Sequence, residues 1–402
     1  MTASADDITA LDATALSEAI HARRVSCREV MQAYLARIAR LNPTYNAIVA
    51  LRPDDELLAE ADACDAELAR GASRGWLHGV PQAIKDLANA AGLPTTLGSP
   101  LMRDFIARED GLMTARMKGA GCIVIAKTNV PEFGLGSHTF NEVFGATFNA
   151  YDVTKSAGGS SGGAAVALAL GLLPVADGSD FMGSLRNPAA WNNVFGMRPS
   201  QGRVPMWPAQ DVWVSQLATE GPMGRSVRDV ARLLQTQAGW SPNTPLSIAS
   251  GADQTSAGGT FDFKSQRIGW LGDLNGYLAM EPGILDACAS GLQRLQALGC
   301  AVEPARLGMA PERVWDAWLV WRRVLVASRI APFFHRWMEV VIYATFAGLP
   351  CISVPVGFND AGLPMGMQLI GKPQDDAGVL RLAQAYEQVI GDWLAVRPSS
   401  AT

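Results

Sequence analysis

Apolar residues recur at Val30, Tyr34, Ile38 and Leu41, close to one face of a 3.6-residue period, and the pattern stops at Asn42-Pro43. This spacing predicts an amphipathic helix. Ser26-Cys-Arg-Glu29 at its start reads as a capping box, in which a hydroxyl and a carboxylate each satisfy an orphan backbone donor. A second amphipathic stretch runs from about residue 56 to residue 68, and both are read as packing elements that cover the body. From Gly79 the pattern changes to short apolar runs alternating with Gly- and Pro-rich turns. The run CIVIA at 122–126 is β-branched and short, as expected of a strand buried on both faces, and 172–176 reads as another. Between them SAGGSSGG at 156–163 precedes 164–170, a run of strong helix formers. Strand, glycine turn and helix in succession predict a mixed α/β sheet with functional loops. The small-residue stretch 241–259 reads as a surface loop or linker, 267–271 and 351–358 as later strands, and 376–390 as a C-terminal helix.

Composition narrows the function classes. The 402 residues are 49% hydrophobic, ample for a sizeable core in one large α/β body or in two to three units. A net charge of −5 gives no reason to invoke nucleic acid. Apolar runs such as 164–173 stop short of the roughly 18 residues a spanning helix needs, so no membrane partner is expected. The opening MTASADDITA is acidic and without an apolar h-region, so a secretory signal is not expected. Six scattered cysteines (Cys27, Cys64, Cys122, Cys288, Cys300, Cys351) form no CxxC pair, and the four histidines are equally scattered. That usage fits a reducing, cytoplasmic setting with buried thiols, and no metal site is expected.

The most unusual segment is Gly158-Gly159-Ser160-Ser161-Gly162-Gly163. It reads either as a flexible tip or as a turn that aims several N–H groups at an anion. Neither GxxxxGK[ST] nor GxGxxG occurs, so a phosphate loop and a dinucleotide fold are both set aside. A second small-residue loop carries Ser184, 24 positions after Ser160, and upstream Gly79-Val-Pro-Gln-Ala-Ile-Lys85-Asp86 sets a lysine among apolar neighbours. Two serines in strained glycine turns and one partly buried lysine are the ingredients of Ser–Lys nucleophilic catalysis. The lysine can act as base only where burial or positive neighbours favour its neutral form.

The stretch from Gly79 to Pro205 resembles the amidase signature family. The pieces that carry the resemblance are GVPQAIKD (79–86), AKTNVPEFG (126–134), AGGSSGG (157–163), DGSDFMGSLRNPA (177–189) and FGMRPSQGRVP (195–205), in the family's order. GLPCISVP (348–355) and GLPMGMQLI (362–370) are similar to its closing strands. The resemblance implies an α/β fold: a single amidase-signature domain whose mixed central β-sheet is covered on both faces by α-helices. Its parts would be a helical region at about 1–75, a signature core at about 79–205 and a C-terminal part at 260–402 that completes the sheet. It also implies a Ser–cis-Ser–Lys triad of Ser184 (nucleophile), Ser160 (bridging, after a cis Gly159–Ser160 peptide) and Lys85 (base). The backbone amides of Phe181, Met182, Gly183 and Ser184 would form the oxyanion hole. Ser161, Asp180 and Arg186 are expected to support the site. No metal or organic cofactor is required, and a homodimer would suit the family.

Other residues take plainer readings. His78 and His138 are read as structural. Trp315, Trp318 and Trp321, three residues apart, are read as a packing stripe on one helix face. Phe133, Phe144, Met182 and Trp191 are candidates for a hydrophobic substrate pocket.

Two departures from the family pattern stand out. Met182 occupies a position where the family usually has glycine, which narrows the oxyanion loop without removing its backbone donor. Around 333–335 a helical stretch and a strand that the family normally has are missing: a natural deletion, an engineered one and a mobile segment are the alternatives, the last being favoured, and a mobile segment there would serve as a lid. The expected activity is amide hydrolysis through a serine acyl-enzyme. The substrate would be a small hydrophobic or aryl amide, with ester, anilide or carbamate (urethane) hydrolysis also within reach. The rival readings are an amidotransferase subunit of a tRNA-dependent transamidation complex and a non-catalytic binding protein on the same fold.

Overall fold

Ser26 caps the helix Cys27–Tyr45, its hydroxyl accepting from the Glu29 N–H at 3.1 Å while the Glu29 carboxylate accepts from the Ser26 N–H at 2.8 Å. Val30, Tyr34, Ile38 and Leu41 are all buried, as the spacing predicts. The helix passes Pro43 and ends at Tyr45, beyond the stop read from Asn42-Pro43. A proline so near the end removes one bond and no more. The Asn42 side chain then accepts the freed Ala47 and Ile48 amides at 2.9 and 2.8 Å, and Asn46 turns the chain in a left-handed conformation. The second amphipathic stretch is the helix Asp54–Ala69.

This computed structural model describes residues 5–209, 211–214, 216–249, 262–327 and 336–401. The CIVIA run becomes the strand Ile123–Thr128, fully buried as expected, parallel to Pro81–Lys85 and antiparallel to Ile48–Val49. A five-stranded antiparallel group runs in the order 364–370, 351–358, 195–198, 219–224, 175–180. The two groups meet where the Lys85 N–H donates to Asp177 Oδ2 at 3.1 Å, so the mixed sheet is closed by a side chain at that seam. Helices cover both faces. One core joins Val30, Tyr34 and Ile38 to Ile123, Ile125, Val166 and Leu168. The other packs Val230, Leu234, Leu292, Leu380 and Tyr386 on Phe195, Ile352, Val354 and Leu369.

The strand Cys351–Phe358 has the predicted bounds, and the C-terminal helix spans Asp376–Glu387. The strand Arg267–Trp270 forms a separate parallel pair with Ala301–Pro304. All six cysteines are buried and unpaired by disulfides. Residues 250–261 and 328–335 lie outside the described residues, and with them most of the predicted 241–259 loop and the junction at which a lid segment is expected. No helix among the described residues is long and apolar enough to cross a membrane.

Candidate active site

Three pieces of chain converge at the seam between the two strand groups. The strand Pro81–Lys85, buried throughout, ends on Lys85. The strand Val175–Asp180 runs beside it, and side chains alternate along a strand, so Asp177 and Ser179 share the face toward Lys85. The glycine-rich turn delivers Ser160 and Ser161 just before the helix Gly162–Ala169, and the Gly159–Ser160 peptide is cis, as the resemblance implies. Gly178 makes room for that turn. A Cβ there would stand 2.8 Å from Ser161 Oγ and 2.5 Å from a Leu185 methyl.

The Lys85 amine is the hub. Nζ lies 2.9 Å from Ser160 Oγ, 2.7 Å from Ser161 Oγ, 3.0 Å from Ser179 Oγ and 3.3 Å from the Ser179 carbonyl oxygen, with the side chain fully buried. Burial pushes its pKa down to about 7, against the opposing pull of Asp177, Asp180 and Glu220. An amine that loses its proton there keeps two N–H donors and gains a lone pair able to accept from a hydroxyl.

Ser184 is 7% exposed, and its carbonyl accepts from the Ser161 N–H at 3.2 Å, which ties the two loops together. The turn before it needs Gly183, whose φ is +83° and where a Cβ would approach Asn187 Nδ2 and a Val341 methyl at 2.8 Å each. Asp180 organises the loop from within. Its carboxylate accepts the Gly183 and Leu185 amides at 2.9 and 3.2 Å, Arg186 at 2.9 and 3.0 Å, and Arg198 at 3.3 Å. Burial alone would raise the Asp180 pKa, but the two guanidinium charges and these bonds hold it below the ordinary carboxylate range.

This geometry corrects one expectation. The Gly183 N–H faces Asp180 and is spent there, so it is not a free oxyanion donor. The Phe181, Met182 and Ser184 amides make no hydrogen bond among the described residues.

Arg186 is buried rather than a surface partner. Besides Asp180 it donates to the Val341 carbonyl at 2.9 Å, Gln368 Oε1 at 2.6 Å and Thr345 Oγ1 at 2.8 Å, tying the Ser184 loop to the helical turns at 336–346 and to the strand Pro364–Ile370.

Met182 packs with Leu217, Trp315, Trp318 and Val341, and the Phe181 ring stands 5.3 Å from the indole of Trp318. Trp315 and Trp318 are buried on the helix Pro311–Ala327, as the spacing predicts, whereas Trp321 is exposed. The two buried indoles share one apolar cluster with Phe181 and Met182, the residues just before Ser184. Phe133 precedes Gly134, whose outward side faces Ser160 Oγ at 3.5 Å from a virtual Cβ. Phe144 and Trp191 lie apart from the apolar cluster around Met182. Phe144 is bound through its carbonyl and amide to Asn46 and Asn141 in the 140–146 hairpin. Trp191 ends the helix Arg186–Trp191 with its ring 6.0 Å from His138. His78 is buried between the Arg74 amide, whose N–H it accepts at 3.1 Å, and the Cys64 carbonyl at 3.0 Å, a structural role.

Four residues at the site escape the sequence reading: Ser179, Arg198, Leu217 and Glu220. Ser179 stands inside the DGSD motif at 177–180 and was recoverable from strand alternation. Arg198 and Glu220 become neighbours through strand pairing, and Leu217, just ahead of the strand Thr219–Gly224, through the apolar cluster around Met182.

The sequence profile described as Amidase matches residues 29–329 and 331–380. An acylamidase of Rhodococcus erythropolis is 30% identical over 472 aligned positions that cover 97% of this chain and 98% of the relative. The alignment is longer than the 402-residue chain, so the relative carries internal residues with no counterpart here. A glutamyl-tRNA(Gln) amidotransferase subunit from Corynebacterium jeikeium is 35% identical over 73% of this chain, a match that spans 59% of the relative's length. Among solved structures, a bacterial aryl acylamidase superposes with a TM-score of 0.83 at 26% identity over 99% of both chains. The peptide amidase of Stenotrophomonas maltophilia gives 0.80 at 26% identity, over 96% of this chain and 98% of its own. With the profile covering most of its length, the chain belongs to the amidase family, the amidase signature enzymes.

Proposed function

We propose that this protein hydrolyses small amides by serine acyl transfer, with Ser184 as nucleophile, Ser160 as proton bridge and Lys85 as base. The observation that carries the reading is the fully buried Lys85 amine, 2.9 Å from Ser160 Oγ, in a turn bonded to the Ser184 backbone. Neutral Lys85 accepts the Ser160 hydroxyl proton while Ser160 Oγ accepts that of Ser184, and Ser184 Oγ bonds to the substrate carbonyl carbon. The resulting oxyanion is met by the unspent amides of Phe181, Met182 and Ser184, where one such donor is worth about 3–4 kcal/mol of barrier. On collapse the C–N bond breaks and the relay returns the proton to the departing amine. Water then cleaves the acyl-enzyme along the same route. Ser161 and Ser179 hold the amine in place from its other sides.

The apolar wall of Phe181, Met182, Leu217 and Trp318 favours a hydrophobic or aryl acyl group, in keeping with the acylamidase and aryl acylamidase relatives. Anilides, esters and carbamates present the same carbonyl to the same nucleophile. The similarity to amidotransferase subunits favours a second reading, in which the amine released from an amide is passed to a partner-bound acceptor. Turnover of a chromogenic anilide by the isolated chain separates the two. The hydrolase reading expects turnover without ATP or tRNA, and expects Ser184→Ala to lower it at least about 10⁴-fold with folding unchanged. A fluorophosphonate should label Ser184 alone. Undiminished turnover in Ser184→Ala would overturn the assignment.

A further inference from the structure

Behind Lys85 lies an acidic pair that the proposed mechanism does not use. Antiparallel register sets Glu220 directly opposite Ser179, and Asp177 two residues back along the same strand, opposite Pro222. Directly opposed residues share a sheet face with their Cβ atoms about 4.5–5.5 Å apart, so Glu220, Asp177 and Ser179 all face the amine of Lys85. Asp177 is fully buried. Its Oδ2 accepts the Lys85 backbone N–H, and its Oδ1 has no partner among the described residues. Glu220 is 9% exposed, and its carboxyl makes no hydrogen bond among the described residues. Two carboxyls and one amine therefore share one largely buried sheet face.

The surrounding charges are otherwise committed. Arg116 approaches from the helix Leu112–Gly119, with its guanidinium bonded to the carbonyls of Gln237, Gly239 and Trp240. Lys127, on the neighbouring strand, donates to the Ala88 carbonyl. Asp180 projects from the opposite face to Arg186 and Arg198. On the helix Val227–Gln237, Asp229 is bonded to the Ala13 and Thr14 amides, Arg228 to Asp12, and Arg232 lies over the Trp76 ring.

We propose that Glu220 is a positioning residue that acts through Lys85. It sits in the pocket as the uncharged acid, so that Asp177 alone faces the amine with a negative charge and Lys85 is free to lose its proton. Were Glu220 ionised, a second carboxylate in the same low-dielectric space would hold Lys85 as an ammonium, useless as a base. The two proton placements, neutral amine with carboxylic acid or ammonium with carboxylate, carry the same net charge. Burial without a hydrogen-bond donor favours the first. Burial, followed by the charge of Asp177, raises the Glu220 pKa to about 8, in the same direction.

The inference rests on the reading of Lys85 as base, so its test has one arm that is independent of turnover. In the pH dependence of kcat/KM for an anilide, Glu220→Gln removes the competing ionisation. Its acidic limb should stay within about 0.3 unit of the wild-type position, because the amide is as uncharged as the acid it replaces, whereas Glu220→Asp, whose carboxyl ionises more readily, should move the limb to higher pH. A limb displaced to lower pH by about a unit or more in Glu220→Gln would mean that Glu220 is ionised in the wild type and would overturn the proposal, as would a limb that Glu220→Asp leaves unmoved. Infrared difference spectra of the resting protein between about pH 6 and pH 9.5 should show a protonated-carboxyl stretch that disappears on alkalinisation, shifts in Glu220→Asp and is missing in Glu220→Gln. A band unchanged by both substitutions would overturn it as well. The spectral result stands even if Ser184→Ala were to show that catalysis runs by another route.

Discussion

One carboxylate, that of Asp180, fixes the backbone of the nucleophile turn from inside, and two arginines neutralise it at under 4 Å. Replacing it with asparagine leaves Arg186 and Arg198 buried with no counter-charge. Asp180→Asn should therefore cost about 3–5 kcal/mol in denaturant unfolding and abolish turnover with it. A surface ion pair would give less than about 1 kcal/mol in the same measurement. At this scale the sequence was informative about the motif and nearly silent about its supports. Lys85, Ser160, Ser184, Asp180 and Arg186 all stand in short strings of unusual composition that declare their chemistry. Arg198 and Glu220 are charged residues on ordinary-looking strands, and only the register of those strands turns them inward. The direction of a backbone amide was equally illegible: the Gly183 N–H turns to Asp180 and not to the substrate side.

The helix Pro311–Ala327 shows how an element can be read correctly in kind and incompletely in use. Its tryptophan spacing predicts a packing face, and Trp318 is buried as that predicts, yet its neighbour is Phe181 of the nucleophile loop. Trp318→Ala should destabilise by about 3–5 kcal/mol, and Trp318→Phe by less. Where the variant remains folded, KM for aryl amides should rise more than KM for small aliphatic amides. Equal changes for both substrate types would mean that the helix supports the fold without shaping the acyl site. Phe144 and Trp191, pocket candidates chosen for closeness in sequence to the motifs, lie outside the apolar cluster around Met182. A tight hairpin and a short helix carry them elsewhere, a displacement that no local pattern reveals.

Across the whole molecule, the proposed chemistry sits where a partly parallel strand group meets an antiparallel one, and the seam buries ionisable groups whose pKa values burial displaces. Lys85 in the folded state has a pKa of about 7, and about 10.4 is normal for an unfolded chain. Between those values the unfolded chain binds more protons, so the contribution of Lys85 to stability rises with pH across that window and is smallest below it. The Tm of the wild type relative to Lys85→Met should accordingly increase from about pH 6.5 to about pH 9.5. A flat difference would mean that the lysine is charged in the folded protein. The mixed sheet followed from the alternation of short apolar runs and glycine turns, and the helices on both faces from the resemblance to the amidase signature family. The seam itself did not, because Lys85 and Asp177 meet across 92 residues of sequence.

The central claim is that an uncharged Lys85 draws the proton from Ser184 by way of Ser160. Its most direct test is the rate of Ser184 phosphonylation by a fluorophosphonate as a function of pH, with no turnover required. The account predicts a single rise governed by an ionisation near 7, lost in Lys85→Met and depressed at every pH in Ser160→Ala. Labelling of Ser184 that continues at an undiminished rate in Lys85→Met, or that rises only where an ordinary lysine titrates, would contradict it.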